Sequence, residues 1–284
     1  MSLRVTTLCE NYAGKGGVLA EAGWSALVEY DRLKVLFDTG ASISVCHNAD
    51  RLGVLLTDID AIVLSHSHPD HTGGLLEVLQ KIGRDHIDVI AHPAIWDRRY
   101  NRTHGVERFM GIPHRRELLE ACGAEFHLSD SPLAIGNHIM TTGQIPMVTT
   151  FEHINAPIEG GGERFVTNEG TEEPDMVLDD LSLVVRTDRG LVVIAGCSHR
   201  GIINGLLRAQ QISGVQHIHG VVGGAHLEPA DQEQVQLTIE SLQALEVERV
   251  GLCHCTGLSA IGSLAHALGD RFFYNVAGTV VDFE

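Results

Sequence analysis

The amino-acid sequence predicts an α/β fold: a four-layer αβ/βα sandwich built from two βα halves, with a metal site at the edge where the two sheets meet. Three observations predict it. Apolar runs of strand length alternate with amphipathic helical stretches along most of the chain, the rhythm of βαβ units. The second half begins by echoing the first. Residues 25–32 align without gaps to residues 182–189, each opening on a serine and closing on an Asp-Arg pair. Both copies continue into an apolar strand and a small-residue turn, Asp38-Thr39-Gly40 and Ala195-Gly196-Cys197. Finally, His66, His68, His71, Cys197, His199, His226 and His254 come just after predicted strands end, which is where α/β folds build sites.

In order, residues 3–8 alternate enough for an edge strand, and residues 11–17 are a Gly-rich loop. Lys15 lies there between glycines, but its flanks do not complete a phosphate-binding motif. A hairpin comes next, residues 24–30 turning at Asp31-Arg32 into 34–37. Ser42 can cap a helix with Ile43, Val45, Cys46, Ala49 and Leu52 on one side. Residues 61–64 form a short buried strand. The apolar side of the next helix is Leu75, Leu76, Val78 and Leu79, and residues 87–91 return as a strand. Residues 115–122 read as a helix, with strands near 124–127 and 138–142. In the second half, helices near 202–211, after Pro229 and after Gly257 alternate with strands at 217–222 and 247–252. Residues 272–283 close the chain as one or two strands. No linker divides the chain, so residues 1–284 read as a single domain. It carries a cap insertion at about 92–114 and a loop or lid at about 155–174.

With 44% hydrophobic residues the chain can build a sizeable core. Its net charge of −17 argues against broad nucleic-acid or anionic-membrane binding. No apolar run approaches the roughly 18–20 residues of a membrane span. The six cysteines are scattered and no secretory leader precedes them, so a reducing cytoplasm is the expected compartment.

The strand at 61–64 runs into Ser65-His66-Ser67-His68-Pro69-Asp70-His71-Thr72-Gly73-Gly74. Imidazole and carboxylate suit Zn²⁺, with Fe²⁺ or Mn²⁺ as alternatives. His66 and His68 can share one face of an extended segment and hold one ion. Asp70 and His71, one turn on, can hold a second. Three later strand ends offer further donors: Cys197 with His199, then His226, then His254 between Cys253 and Cys255. Strand alternation turns Cys253 and Cys255 away from His254, which makes them core residues. Asp38 orients the metal loop by hydrogen bonding or simply holds its own turn. The cap concentrates Trp96, Arg99, Tyr100, Arg102 and Phe109. Either it is a solvated connector or it covers the site, with Trp96, Arg99 and Tyr100 holding an aromatic, anionic substrate by stacking and guanidinium contacts.

The pattern His66-x-His68-x-Asp70-His71 resembles the metal signature of the metallo-β-lactamase superfamily. With Gly143-Gln144-Ile145-Pro146, Gly196-Cys197-Ser198-His199, Gly223-Gly224-Ala225-His226 and Cys253-His254-Cys255, the chain is similar to the 7,8-dihydropterin-6-methyl-4-(β-D-ribofuranosyl)aminobenzene-5′-phosphate synthase subgroup. The resemblance implies a dinuclear centre that activates water or binds phosphate, in a hydrolase or a pterin-related synthase. It implies His254 as the last ligand of the second ion, and Cys197 where the family usually has a bridging aspartate. The family's third histidine is replaced by Gln144, so that ion either takes water or recruits His199. Asp70 is the implied catalytic proton shuttle, and His226 is a substrate-side residue. The implied partner is a small molecule, aromatic and phosphorylated; self-association is left open. Two other readings stand beside this one: a nucleic-acid-processing metallohydrolase and a non-catalytic metal-dependent binding or sensor protein.

Overall fold

The computed structural model describes residues 2–103, 106–154, 164–167 and 173–284. The first half contains β1 (Leu3–Cys9), β2 (Ser25–Tyr30), β3 (Leu33–Phe37), α1 (Ser44–Leu52), β4 (Ala61–Val63), α2 (Pro69–Thr72), α3 (Leu75–Ile82) and β5 (Ile87–Ala91). Next come β6 (Arg99–Thr103), β7 (Val106–Phe109), α4 (Arg116–Ala121), β8 (Ala124–Leu128), β9 (Ile139–Thr141) and β10 (Arg164–Thr167). The second half contains β11 (Ser182–Thr187), β12 (Gly190–Ala195), α5 (Ile202–Ser213), β13 (Ile218–Gly224), α6 (Gln232–Ala244), β14 (Arg249–Cys253), α7 (Leu258–Leu268) and β15 (Val280–Phe283). One sheet runs β15-β1-β2-β3-β4-β5-β8, a second β14-β13-β12-β11-β9, and a small third β10-β6-β7.

The internal echo is structural. β2 and β11 turn at their Asp-Arg pairs into antiparallel partners, β3 and β12. Each hairpin then continues into two parallel strands, β4 and β5 in one half and β13 and β14 in the other.

Strand alternation separates the layers. In β4, Ala61 and Val63 face the core between the two large sheets, together with Trp24, Phe37, Ile194 and Val222. Ile62 and Leu64 face the opposite way, onto Val45, Leu75, Leu79 and Leu119 of α1, α3 and α4. In β12, Val192 and Ile194 point inward, while Leu191 and Val193 meet Ile203, Leu206, Ile239 and Leu264 of α5, α6 and α7. Each such fully buried aliphatic side chain stabilises the fold by about 1.5–3 kcal/mol. The order is helix, sheet, sheet, helix.

Several local expectations change. β1 is not an edge strand, because β15 pairs outside it. Ser42 does not cap α1; its hydroxyl donates to Glu21, and the helix starts behind Ile43, which is exposed. Asp231 caps α6 by accepting the Gln234 N–H at 2.8 Å, so Pro229 lies ahead of the helix. The cap is a β6–β7 hairpin with β10 as its third strand. Of the expected lid, residues 155–163 and 168–172 lie outside the described residues. Among the described residues, no helix is long and apolar enough to cross a membrane.

Candidate metal centre

The site forms where β3, β4, β12, β13 and β14 end. To turn their side chains to one point, the chain leaves ordinary backbone geometry. Asp38, Ser198, His226 and His254 all have positive φ, between 46° and 59°. Such strain in non-glycine residues collects at functional sites. Gly73 and Gly74 let the metal loop lie against the turn after β3. A Cβ on Gly73 would come within 2.1 Å of the Ala41 carbonyl oxygen, and one on Gly74 within 2.2 Å of that of Thr39.

Asp38 is fully buried and sets the tautomers of two histidines. Its Oδ1 accepts the Ser65 N–H at 2.7 Å, and its Oδ2 accepts the Ser65 hydroxyl at 2.7 Å. That oxygen also lies 2.7 Å from His71 Nδ1, which must therefore donate. The Ser65 proton being committed to Asp38, His66 Nδ1 donates to Ser65 Oγ at 2.9 Å. His66 Nε2 keeps its lone pair, buried and without a hydrogen-bond partner. Asn11 does the same for His254. Its Oδ1 accepts the Gly23 N–H at 3.2 Å and lies 2.9 Å from His254 Nδ1, which donates.

The consequence shows at the centre. His71 Nε2 and His254 Nε2 lie 3.3 Å apart, each with its ring's Nδ1 proton committed elsewhere. Cys197 Sγ is 3.0 Å from His71 Nε2, and Asp70 Oδ2 is 3.2 Å from His254 Nε2 and 3.6 Å from His71 Nε2. Facing lone pairs repel unless something positive lies between them. The donors of Asp70, His71, Cys197 and His254 fall within 4.8 Å of one another, as do those of His66, Cys197 and His199. The rings of His66, His68 and His199 meet edge to face, with centroids 4.6 to 4.9 Å apart. Imidazole, carboxylate and thiolate donors in this geometry fit divalent cations.

The charges agree. Burial pushes His66 and His199 well below the usual histidine range and His68 down to about 3, so all three are neutral, the form that binds a cation. Burial disfavours the charged form of His71 too, but Asp70 and Asp38 outweigh it and push the ring up to about 9. Burial opposes ionisation of Asp70, yet His71 and His254 hold it well below the carboxylate range.

A third group was not expected. Cys197, His226 and Cys255 also bring their donors within 4.8 Å. Cys255 would be a core residue only if the strand continued past it. The strand stops at Cys253, which is core, and a 3₁₀ turn at His254–Thr256 swings Cys255 round to Cys197, its Sγ 3.3 Å from that residue's carbonyl oxygen. The His226 ring lies tilted against His199, 4.1 Å between centroids. Burial disfavours the Cys255 thiolate, but the Cys197 thiol and His226 outweigh it and hold Cys255 low; Cys197, more deeply enclosed, is pushed up.

The substrate contacts expected of the cap give way to internal ones. Trp96 packs against Phe126 and Arg116 on the outer face of the larger sheet. Arg99 is 1% exposed, and a guanidinium buried that deeply needs its own counter-charges. It pairs with Asp179, and with Asp175 at 3.0 Å. It also donates to Ser67 Oγ at 2.8 Å, while Asp179 accepts the Ser67 N–H at 2.8 Å. Arg99 thus braces the loop between His66 and His68. Tyr100 is buried against Phe109, its cross-strand partner, at 5.7 Å. Gln144 is held by its backbone N–H, which donates to the Asp130 carbonyl at 2.8 Å, and His199 stands beside His66.

Replacing Asp38 with asparagine puts an N–H donor where Ser65 and His71 both need an acceptor. The His71 tautomer flips and its Nε2 lone pair is lost. We expect metal affinity to fall roughly 10–100-fold, measured by chelator competition.

A family model described as the metallo-beta-lactamase superfamily matches residues 19–254. A relative from Methanocaldococcus jannaschii, named 7,8-dihydropterin-6-methyl-4-(beta-D-ribofuranosyl)-aminobenzene-5′-phosphate synthase, is 30% identical over 99% of this chain and 97% of its own. An uncharacterized protein of the same organism is 28% identical over 98% of this chain and 99% of its own. The crystal structure of Tm1679, a metal-dependent hydrolase of the β-lactamase superfamily, matches with a TM-score of 0.78 at 29% identity, covering 98% of each chain. The short form of human tRNase Z shares the fold at a TM-score of 0.54, 14% identity and 98% of each chain. The chain belongs to the metallo-β-lactamase superfamily.

Proposed function

We propose that this protein is an enzyme that uses two divalent cations, Zn²⁺ by preference with Mn²⁺ or Fe²⁺ as alternatives, on a small phosphorylated aromatic molecule. His66, His68 and His199 would hold one ion; Asp70, His71 and His254 would hold the other; Cys197 belongs to both donor sets. Bound ions supply Lewis-acid polarisation, a grip on phosphate and a lowered water pKa. The carrying observation is the 3.3 Å approach of the His71 and His254 Nε2 atoms, each with its ring's Nδ1 proton committed elsewhere.

The chain's own groups orient and hold. Asp38 and Asn11 keep three imidazoles in the donor tautomer. Asp70 is partly exposed and held ionised, which makes it a weak base. Its catalytic part is to accept a hydrogen bond from the attacking or departing group and orient it. His226, beside His199, faces the substrate side. The M. jannaschii relative's name supports a pterin-type ring and a ribose phosphate as the kind of molecule handled. The −17 charge leaves anion binding to the cations rather than to a basic surface.

The test is metal content together with turnover. Purified protein is expected to hold about two ions per chain, and His254→Ala about one, because the His66 group keeps its donors. Protein that binds no metal, with stability indifferent to added Zn²⁺ or Mn²⁺, overturns the proposal. Bound metal without turnover on phosphoesters, thioesters, lactams or pterins supports a binding or sensor protein instead.

A further inference from the structure

A cavity of about 690 Å³ opens beside His254. Helices α6 and α7, the segment around Asn11 and Tyr12, and Tyr274 enclose it. Its size is that of a small-molecule site. The Tyr12 and Tyr274 rings meet edge to face, 5.7 Å between centroids, and form an aromatic wall. Glu228 brings a carboxylate acceptor, and Gln232 and Gln236 bring amides. Helix α7 starts in the cavity behind Gly257, with no side chain capping it, so its first N–H groups lack helical partners. No lysine or arginine is among the lining residues.

We propose that this cavity binds a flat, uncharged heteroaromatic ring whose edge carries a carbonyl next to N–H or amino donors. The tyrosines supply the aromatic surface. The α7 N–H groups take the carbonyl oxygen, and Glu228 accepts from the ring donors. An anionic group is disfavoured there by Glu228 with no side-chain cation to offset it, so a phosphate on the same molecule is left to the histidine cluster. This placement rests on the proposed function and moves ring recognition from Trp96 and Tyr100 to the cavity that His254 lines.

The test titrates full-length, metal-loaded protein with 2-amino-4-oxopteridine, following ring fluorescence, with metal content measured on the same sample. Saturable binding is expected, weakened at least about tenfold by Tyr274→Ala and by Glu228→Gln, and changed less than about twofold by Tyr100→Ala. Glu228 is exposed, so its variant keeps the fold. Inorganic phosphate is expected not to compete. Metal-replete protein without saturable binding overturns the inference. So does binding that ignores Tyr274→Ala and Glu228→Gln, or phosphate competing for the cavity. Ring binding with these sensitivities by protein that holds no metal upholds this inference and overturns the metal reading instead.

Discussion

Replacing Cys197 with alanine is expected to empty the centre of both ions, a larger loss than removal of any single histidine. His66, His71, His199, His226 and His254 each serve one donor group, whereas the Cys197 sulfur belongs to the groups of Asp70, His71 and His254, of His66 and His199, and of His226 and Cys255. Each cation set loses a donor, and the two sets lose the negative charge between them. Metal analysis of Cys197→Ala after dialysis should show well under about one ion per chain. Cys197→Asp separates loss of the donor from loss of the fold. A carboxylate restores a charged donor at the same strand end but is a harder base than thiolate. Occupancy should return while preference shifts from Zn²⁺ toward Mn²⁺. If Cys197→Ala keeps both ions with wild-type affinity, the sulfur is not shared between them. Unfolding curves of both variants, recorded alongside, show whether the fold has been held constant.

Much of this centre was legible in the sequence because its residues come directly after the ends of apolar strands. A strand that stops at Val63, Ala195 or Cys253 must deliver the next few side chains to the sheet rim, and the rim is shared once the strands are parallel. That logic reached His66, His71, Cys197, His199 and His254. It failed at Cys255 because it assumed that alternation continues past Cys253. The backbone instead turns at His254 with φ 54°, and a left-handed residue that is not glycine leaves little trace in a single sequence. The cap failed for a different reason. Arg99 and Trp96 have the right chemistry for substrate, but composition does not say which acid neutralises a buried arginine. Asp179 lies far along the chain, and its contact with Ser67 spans 112 residues. Glu10 was missed in the same way. It accepts the His254 N–H at 2.8 Å from 244 residues away along the chain.

Arg99→Met is expected to destabilise the fold by about 3–5 kcal/mol, the usual result of removing one partner from a buried ion pair. Methionine fills most of the arginine's volume, so little of the loss is cavity. Most comes from Asp179 and Asp175, which stay buried while losing the charge of Arg99. The two sides of the present pair respond unequally. On Arg99 the carboxylates outweigh burial and raise its pKa, whereas on Asp179 burial outweighs Arg99 and the carboxyl is pushed up to about 6. Between its unfolded value, near 4, and about 6, the folded state therefore holds a proton that the unfolded state has released. Stability falls as pH rises through that window and levels off above it. Without Arg99 the folded pKa climbs further, and the window extends above 6. The deficit of Arg99→Met relative to wild type should thus be smallest near pH 5 and largest near pH 8. Denaturant unfolding of both proteins at the two pH values checks this. A deficit equal at both would mean that the arginine acts through packing, and that Ser67 is held without help from its charge. Near pH 8 the variant should also lose metal affinity, because the same guanidinium and carboxylate fix the loop that carries His66 and His68.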